Sequence, residues 1–567
     1  MARPAAHTLS LAQITYMHTG SIAFRHPIAF WTGSALLVAG VLLHLPMYLM
    51  AAPMHYRLAG MPMSPGMLLG MALIPLGLCL AGFALAPPRR LAMGDATPVT
   101  RVQRHDFHVA DGVPLNRAHL TLVAVLVVAL AVDVMKPATL GFVMPGLTAE
   151  YGISKEVGAL LALVALTGTT LGSVAWGWIG DRFGRRAAVL LSALMFMGTA
   201  ICGAMPSFGW NLAMCFLMGA SAGGLLPMTF TLMAEAIPAA HRGWLLVALG
   251  GVGNSAGYLL AAGAAAWLEP GYSWRALWLL GLPTGAVIIM LNHWIPESSR
   301  FLASQGRWAE ARLALARFTG ARNAGVEEDS PEHPGAPVLD DPHVVIGLKH
   351  LLRGSHAALT RGLLICGMAW GLANFGFLLW LPVNLVKLGI DPSGASRLLA
   401  DSALIALPGI GVVVWLYHRW STVRSLVLFI GLTTAALATF VALDLLGVRQ
   451  AWLITLATAG LLVSVSGVIA MLIPYAAEIY PVHLRGTGSG VVAAGSKFGG
   501  ILGALLGVLG LFEHLALAAG LIMLAMLAAG ITLLRYGVET RGLSLEAIQA
   551  HIRQSFSRDA PTILPKR

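Results

Sequence analysis

The chain has 567 residues, 57% of them hydrophobic and only 11% charged, with a formal net charge of +11. A soluble protein carries about a quarter charged residues, so most of this surface faces something other than water. A soluble enzyme, a secreted disulfide scaffold and a nucleic-acid module are excluded, and the excess of Lys and Arg is expected to sort by side of a membrane.

Apolar runs of roughly the 20 residues that span a bilayer as helix recur from one end to the other. Two precede residue 90, at about 29–50 and 67–87. No small-residue cleavage site follows the first, so it reads as a retained helix. After a polar stretch at 88–117, six more runs lie at 119–145, 157–180, 187–205, 209–236, 243–267 and 274–295. The polar segment 296–359 has an acidic, proline-rich middle (Glu327, Glu328, Asp329, Pro331, Pro334, Pro337), the composition of a disordered linker. Six final runs lie at 360–386, 395–417, 425–446, 452–478, 486–512 and 515–536. The expected organisation is an N-terminal extension with a two-helix hairpin (1–117), a six-helix bundle (118–295), a cytoplasmic loop (296–359), a second bundle (360–536) and a tail (537–567). That makes an all-α polytopic membrane protein of 14 transmembrane helices.

With the N-terminus placed in the cytoplasm, 6 of the 36 Lys and Arg residues fall outside (Arg57, Lys155, Arg275, Lys387, Arg397, Arg449) and 2, Lys136 and Lys497, lie deep in helices, leaving 28 inside. This bias supports both the helix count and cytoplasmic termini. The cysteines Cys79, Cys202, Cys215 and Cys366 sit within apolar runs and show no metal or disulfide spacing. The outer turn of the hairpin carries Met47, Met50, Met54, His55 and Met61 without tight ligand spacing, so it reads as a packing element. No metal or cofactor is expected. The absence of G-x-x-x-x-G-K-[ST] argues against an ATP-driven pump.

The two six-helix blocks repeat. Glu235-x-x-Pro238-x-x-x-Arg242-Gly243 closes the fourth core helix and Glu478-x-x-Pro481-x-x-x-Arg485-Gly486 the tenth, 243 positions later. Glu297-Ser-Ser-Arg300 follows the sixth and Glu539-Thr-Arg541 the twelfth, 242 positions later. Duplicated helical halves are the expected build of a secondary transporter, with the solute held between them at the midplane.

The turn between core helices two and three reads Gly177-Trp-Ile-Gly180-Asp181-Arg182-Phe-Gly184-Arg185-Arg186. It resembles the G-x-x-x-D-R-x-G-R-[RK] signature of the major facilitator superfamily. Pro296-Glu297-Ser-Ser-Arg300-Phe-Leu resembles the P-E-S-x-R-[FW]-L motif of its sugar-porter and metabolite–proton symporter branches, and Glu539-Thr-Arg541-Gly-Leu-Ser-Leu-Glu546 their closing motif. The glycines permit a tight turn and close helix approach, and Asp181 suits the exposed N–H groups of a helix start. The resemblance implies that this helix is the eleventh, after Arg485. Arg182, Arg185 and Arg186 are expected to pair with Glu235 and Glu297, forming with Arg242, Arg300, Glu478, Arg485, Glu539 and Arg541 a cytoplasmic gate. The second-half equivalent, Tyr417 to Arg424, lacks the acid and the glycines, so the latch is expected to be one-sided.

Ionisable residues at membrane depth are functional candidates by default. Asp133 and Lys136, three apart on core helix one, share a face; they either neutralise one another or take part in transport. Asp401 on helix eight and Lys497 on helix eleven either pair or contribute to the cavity. The Asp133-to-Pro145 pattern resembles the first helix of aromatic-acid and related metabolite–proton symporters, in which a second acid stands where Lys136 does and an arginine where Cys215 does. Two cations in a cavity favour an anionic solute. Trp370 and Asn374 on helix seven, with Asn254 and Tyr475, are candidate pocket walls. The expectation is a monomeric secondary transporter of the plasma (bacterial inner) membrane, surrounded by lipid, moving a small organic anion with protons and binding no nucleic acid. An exporter of organic cations and a non-transporting membrane sensor are the rivals.

Overall fold

The computed structural model describes residues 26–86, 111–319, 351–352, 356–378, 381, 408–448, 450–511 and 514–557. The described chain is helical throughout. Twelve of its helices are long and apolar enough to cross a membrane.

The hairpin consists of α1 (Pro27–Leu42), α2 (Leu45–Met50) and α3 (Pro65–Leu85). Gly33 and Gly40 of α1 meet Gly77 and Gly70 of α3 so closely that a Cβ on Gly70 or Gly77 would stand 2.4 Å from the opposing glycine carbonyl. Small residues at such spacing let two membrane helices pack backbone to backbone.

The first half follows as α4 (Arg117–Tyr151), α5 (Lys155–Phe183), α6 (Arg185–Gly198), α7 (Phe208–Ala236), α8 (Ala239–Tyr272), α9 (Arg275–Leu279) and α10 (Gly281–Met290). Asn116 caps α4 through Ala118 N–H and His119 N–H at 3.0 and 3.1 Å. Ser154 and Ser207 cap α5 and α7 in the same manner. Helix α4 runs past the expected stop at Pro145 to Tyr151, where Gly152 turns left-handed at φ +62. Proline is tolerated inside a membrane helix because neighbouring groups satisfy the freed carbonyl.

The hairpin covers α6. A Cβ on Gly198 would stand 2.8 Å from Ile74 of α3. The apolar window of the span Arg185–Ala204 is 94% buried, against 33% for its repeat counterpart Thr422–Leu445. At the outer turn, the N–H groups of Leu58 and Ala59 donate to Glu150 Oε1 at 2.7 and 3.1 Å, and Tyr48 donates to the Tyr272 carbonyl at 2.6 Å. Glu150 in turn binds Arg275 at 2.7 Å. Arg275, read above as an outer-loop cation, is fully buried.

The segment after the sixth span is not loop throughout: α11 (Ser299–Ser304) and α12 (Trp308–Thr319) form small amphipathic helices. The acidic, proline-rich middle of that segment lies outside the described residues. The second half comprises α13 (Ala357–Gly371), which runs into a π-helical turn at Leu372–Phe377, then α14 (Gly409–Arg419), α15 (Thr422–Leu445), α16 (Ala451–Ile479), α17 (Arg485–Val508) and α18 (Leu515–Tyr536). The tail adds α19 (Leu545–Ser557), which buries Leu545, Ile548 and Ile552. Core helices seven and eight are thus described in part.

Candidate functional site

Two groups of charged residues stand out. One lies where the turn after α5 meets the start of α17, here called the latch end; the other lies within the spans.

At the latch end the two halves touch through glycine. A Cβ on Gly177 would stand 2.5 Å from the Gly486 carbonyl, and one on Gly180 would strike Met228. This close approach brings Asp181 onto the first turn of α17. Its carboxylate accepts from Gly486 N–H at 2.9 Å, Thr487 N–H at 2.7 Å and the Thr487 hydroxyl at 2.7 Å. A carboxylate at a helix N-terminus gains from both the free N–H groups and the helix dipole. The chain turns at Gly184, whose φ of +115 and proximity to Glu297 exclude a side chain. Glu297 accepts there from Arg185 N–H at 2.8 Å, Arg186 N–H at 3.3 Å and Ser298 N–H at 3.0 Å. Burial pushes the Glu297 carboxyl above its ordinary range, although these N–H groups and Arg185 draw it down.

Glu235 joins the halves. It receives Arg185 of its own half through two bonds, at 3.1 and 3.2 Å, and Arg485 of the other half at 2.8 Å. Arg185 also reaches Asp181 at 3.2 Å and the Val482 carbonyl at 2.5 Å. Arg186 donates to Asn292 at 2.8 Å. Arg182 departs from expectation: it is exposed and lies over the Trp178 ring at 5.5 Å. It stands in the last turn of α5, before the chain turns at Gly184, and so does not share the helix of Arg185 and Arg186.

Below this layer Asp111, which the sequence reading missed, binds Arg242 at 2.5 Å and Arg300 at 2.9 Å. Arg300 also pairs with Glu546 of α19, and Arg242 donates to the Leu543 carbonyl at 3.2 Å. Burial draws the Arg300 guanidinium below its ordinary range, against the pull of Asp111.

The second half builds the same corner from hydroxyls. Glu478 accepts from Tyr417 at 3.2 Å and Thr540 at 2.7 Å. Glu539 accepts from Thr422 N–H at 3.0 Å, the Thr422 hydroxyl at 2.7 Å and the Ser421 hydroxyl. Arg541 donates to the carbonyls of Arg419 and Trp420 at 2.6 and 2.8 Å. Where the first half sets a carboxylate against α17, the second sets the Tyr417 ring against Gly243 at the start of α8.

Within the spans, Asp133 and Lys136 are buried and make no direct ion pair among the described residues; Asp133 Oδ1 and Lys136 Nζ have no hydrogen-bond partner. Lys136 turns instead onto the Phe196 ring of α6, 3.0 Å from its centroid. It is therefore enclosed within the first half. Lys497 on α17 is half-buried and lies 5.9 Å from the Trp370 ring centre and 5.5 Å from that of Phe375. Asp133, from the other half, is in electrostatic reach of both lysines. Phe375 and the half-buried Asn374 sit on the π-helical turn, a feature frequent at functional sites. Trp370 is anchored by its indole N–H to the Val465 carbonyl at 2.9 Å.

The remaining candidates do not join this group. Tyr475 uses its hydroxyl on the backbone of Val538, donating at 2.8 Å and accepting at 2.9 Å. Asn254 is exposed on α8. Asp401 lies outside the described residues.

A sequence model of the Major Facilitator Superfamily matches residues 122–504. The niacin transporter NiaP of Acinetobacter baylyi is 27% identical over 449 residues, 77% of this chain and 98% of that protein. A gallate transporter of Pseudomonas putida is 27% identical, over 70% of this chain and 88% of its own length. Among solved structures, the proton:xylose symporter XylE of E. coli superposes with a TM-score of 0.60 at 16% identity, over 76% of this chain and 98% of that one. That likeness is one of fold.

Proposed function

The chain belongs to the Major Facilitator Superfamily, so it is an integral membrane transporter and not an enzyme, and on that premise we propose that it moves an aromatic carboxylate, coupled to protons, by alternating access. The observation that carries this reading is Lys497, a half-buried cation beside the Trp370 and Phe375 rings. A carboxylate attached to a planar ring suits that grouping: the cation takes the charge and the rings take the face. Niacin and gallate, the solutes in the names of two relatives, are of this class. Lys136, enclosed against Phe196, serves to balance Asp133 rather than to hold solute.

Coupling follows from competition. Asp133 and Lys497 belong to different halves and attract one another across the interface. A proton taken up by Asp133 frees Lys497 for the carboxylate, so proton and anion travel together. The latch end opens and closes as the halves rock. We place both termini and the latch end in the cytoplasm, with 14 spans and a monomer as the working unit.

The test is ligand-dependent thermal stabilisation of the purified protein. Nicotinate, gallate and 4-hydroxybenzoate should raise the melting temperature of the parent and not that of Lys497→Gln. Stabilisation by tetraphenylphosphonium in place of the acids would refute the reading and favour the organic-cation exporter, for which Asp133 is the natural anchor.

A further inference from the structure

The duplicated corner at the latch end is broken in one respect. By the internal repeat, Arg242 is the counterpart of Arg485 and Glu478 that of Glu235. Arg485 crosses the interface to Glu235 at 2.8 Å. Strict symmetry would send Arg242 across to Glu478. Among the described residues it makes no such pair: it is held by Asp111 at 2.5 Å, from the segment that precedes α4.

Both partners in the missing pair are left short. Glu478 is 2% exposed and its carboxylate is met by two neutral hydroxyls, those of Tyr417 and Thr540. Arg242 is 1% exposed, with one terminal nitrogen on Asp111, the other on the Leu543 carbonyl, and its Nε without a partner. Arg242 lies within electrostatic reach of Glu478. A buried carboxylate near an incompletely satisfied buried guanidinium is a strongly attractive pair.

We propose that Asp111 is a positioning residue that withholds Arg242 from Glu478 and thereby sets the balance between the closed and open latch. The inference rests on the alternating-access reading above. Asp111, Arg242 and Arg300 belong to the segment leading into the first half, to α8 and to α11 directly after its sixth span, so their mutual contacts persist when the halves part. An Arg242–Glu478 pair exists only while the halves are together. Asp111 therefore keeps a further cross-interface ion pair from forming, and the latch is held by Glu235–Arg485, Arg300–Glu546 and the Asp181 contacts. Without it, closure gains a pair that opening must break.

The experiment uses the full chain in proteoliposomes, with exposed Cys79 changed to Ser and spin labels at exposed Ala240 on α8 and Arg419 on α14. Pulsed dipolar spectroscopy reads the separation of the halves. Asp111→Asn should shift the closed-to-open ratio towards the short distance by roughly tenfold, the effect of about 1.4 kcal/mol. Asp111→Asn with Glu478→Gln should return to the parent distribution, and Asp111→Glu should match the parent. Should Asp111→Asn not be recovered from membranes, Asp111→Ser serves the same comparison. An unchanged or more open distribution, or failure of Glu478→Gln to reverse the shift, overturns the inference. A parent with a single, fixed distance under all conditions overturns alternating access instead.

Discussion

Replacing Asp181 by Asn removes one charge and reverses one hydrogen-bonding direction at the contact between α5 and α17. The native carboxylate accepts three bonds from the first turn of α17, at 2.7 to 2.9 Å, and faces Arg185 at 3.2 Å. An asparagine keeps one acceptor, and its NH₂ group then confronts either Gly486 N–H or the Thr487 donors. A charge-assisted bond lost in a buried setting costs about 1.5–3 kcal/mol, and the helix-end interaction adds roughly 0.3–1 kcal/mol. The sum, about 2–4 kcal/mol, falls on the closed state alone, because an opened Asp181 is hydrated as well as an asparagine is. At about 1.4 kcal/mol per decade, the closed-to-open ratio falls by roughly 30- to 700-fold. Labels at Ala240 and Arg419 should show the long distance gaining population, transport should fall several-fold, and the melting temperature in detergent should change little beyond the loss of the closed form. Parent-like distances with parent-like transport would refute the reasoning, since no other described group can replace a carboxylate at that helix start.

Single cysteines at Ala52 and Ser330 should react with an impermeant maleimide from opposite sides of the membrane, given the placement of Lys and Arg; labelling from one side would end the 14-span topology. Lys136→Met should lower thermal stability by leaving Asp133 less compensated, and adding Asp133→Asn should restore stability but not transport. Recovered transport in that double variant would remove Asp133 from the coupling scheme. Burial alone would raise the Glu539 carboxyl, but the Ser421 hydroxyl and the Thr422 donors outweigh it and hold the group below the ordinary glutamate value of 4.5. Ionised Glu539 thus contributes stability at pH above that value, and the contribution is lost as the pH falls through the lower, folded-state value. Melting curves from pH 6 downward should decline less steeply for Glu539→Gln than for the parent; equal slopes would rule out this contribution.

The latch contact was readable because its motif is local. Gly177, Gly180, Asp181 and Gly184 fall within eight consecutive positions, and a short acid flanked by glycines has few uses other than a close helix contact. The repeat then pointed to the glutamates and to Arg485. Asp111 was not readable, since it stands 131 positions from Arg242 and has no counterpart in the second half. Lys136 shows a different limit. Its spacing from Asp133 defines a shared helix face, but a lysine side chain is long enough to leave that face, and here it turns to Phe196. Helices α12 and α19 escaped because a search for runs of about 20 apolar residues passes over short amphipathic helices that bury a few alanines and isoleucines. Arg275 reads in the sequence as a lone outer-loop cation; nothing local shows that it is buried against Glu150, which also accepts from the hairpin backbone.

The two halves descend from one pattern, yet they divide the work of closure unequally. Three cross-interface contacts of the latch converge on neighbouring first-half side chains: Asp181 to the start of α17, Arg185 to the Val482 carbonyl, Glu235 to Arg485. These three are chained together, because Arg185 touches both Asp181 and Glu235. Moving the start of α17 away breaks all three at once, and moving it by a fraction satisfies none of them. Packed, hydrogen-bonded contacts of this kind have two arrangements rather than a continuum. The hydroxyl-built corner around Glu478 and Glu539, by contrast, ties the second half to itself. The hairpin ties the first half to itself at the opposite end through Glu150. Each half is therefore braced internally, while Asp181, Arg185 and Glu235 form one chained cluster of buried charge between them. On the alternating-access mechanism proposed above, a bundle arranged in that way changes shape by separating two rigid bodies, and the cluster at Asp181, Arg185 and Glu235 resists that separation.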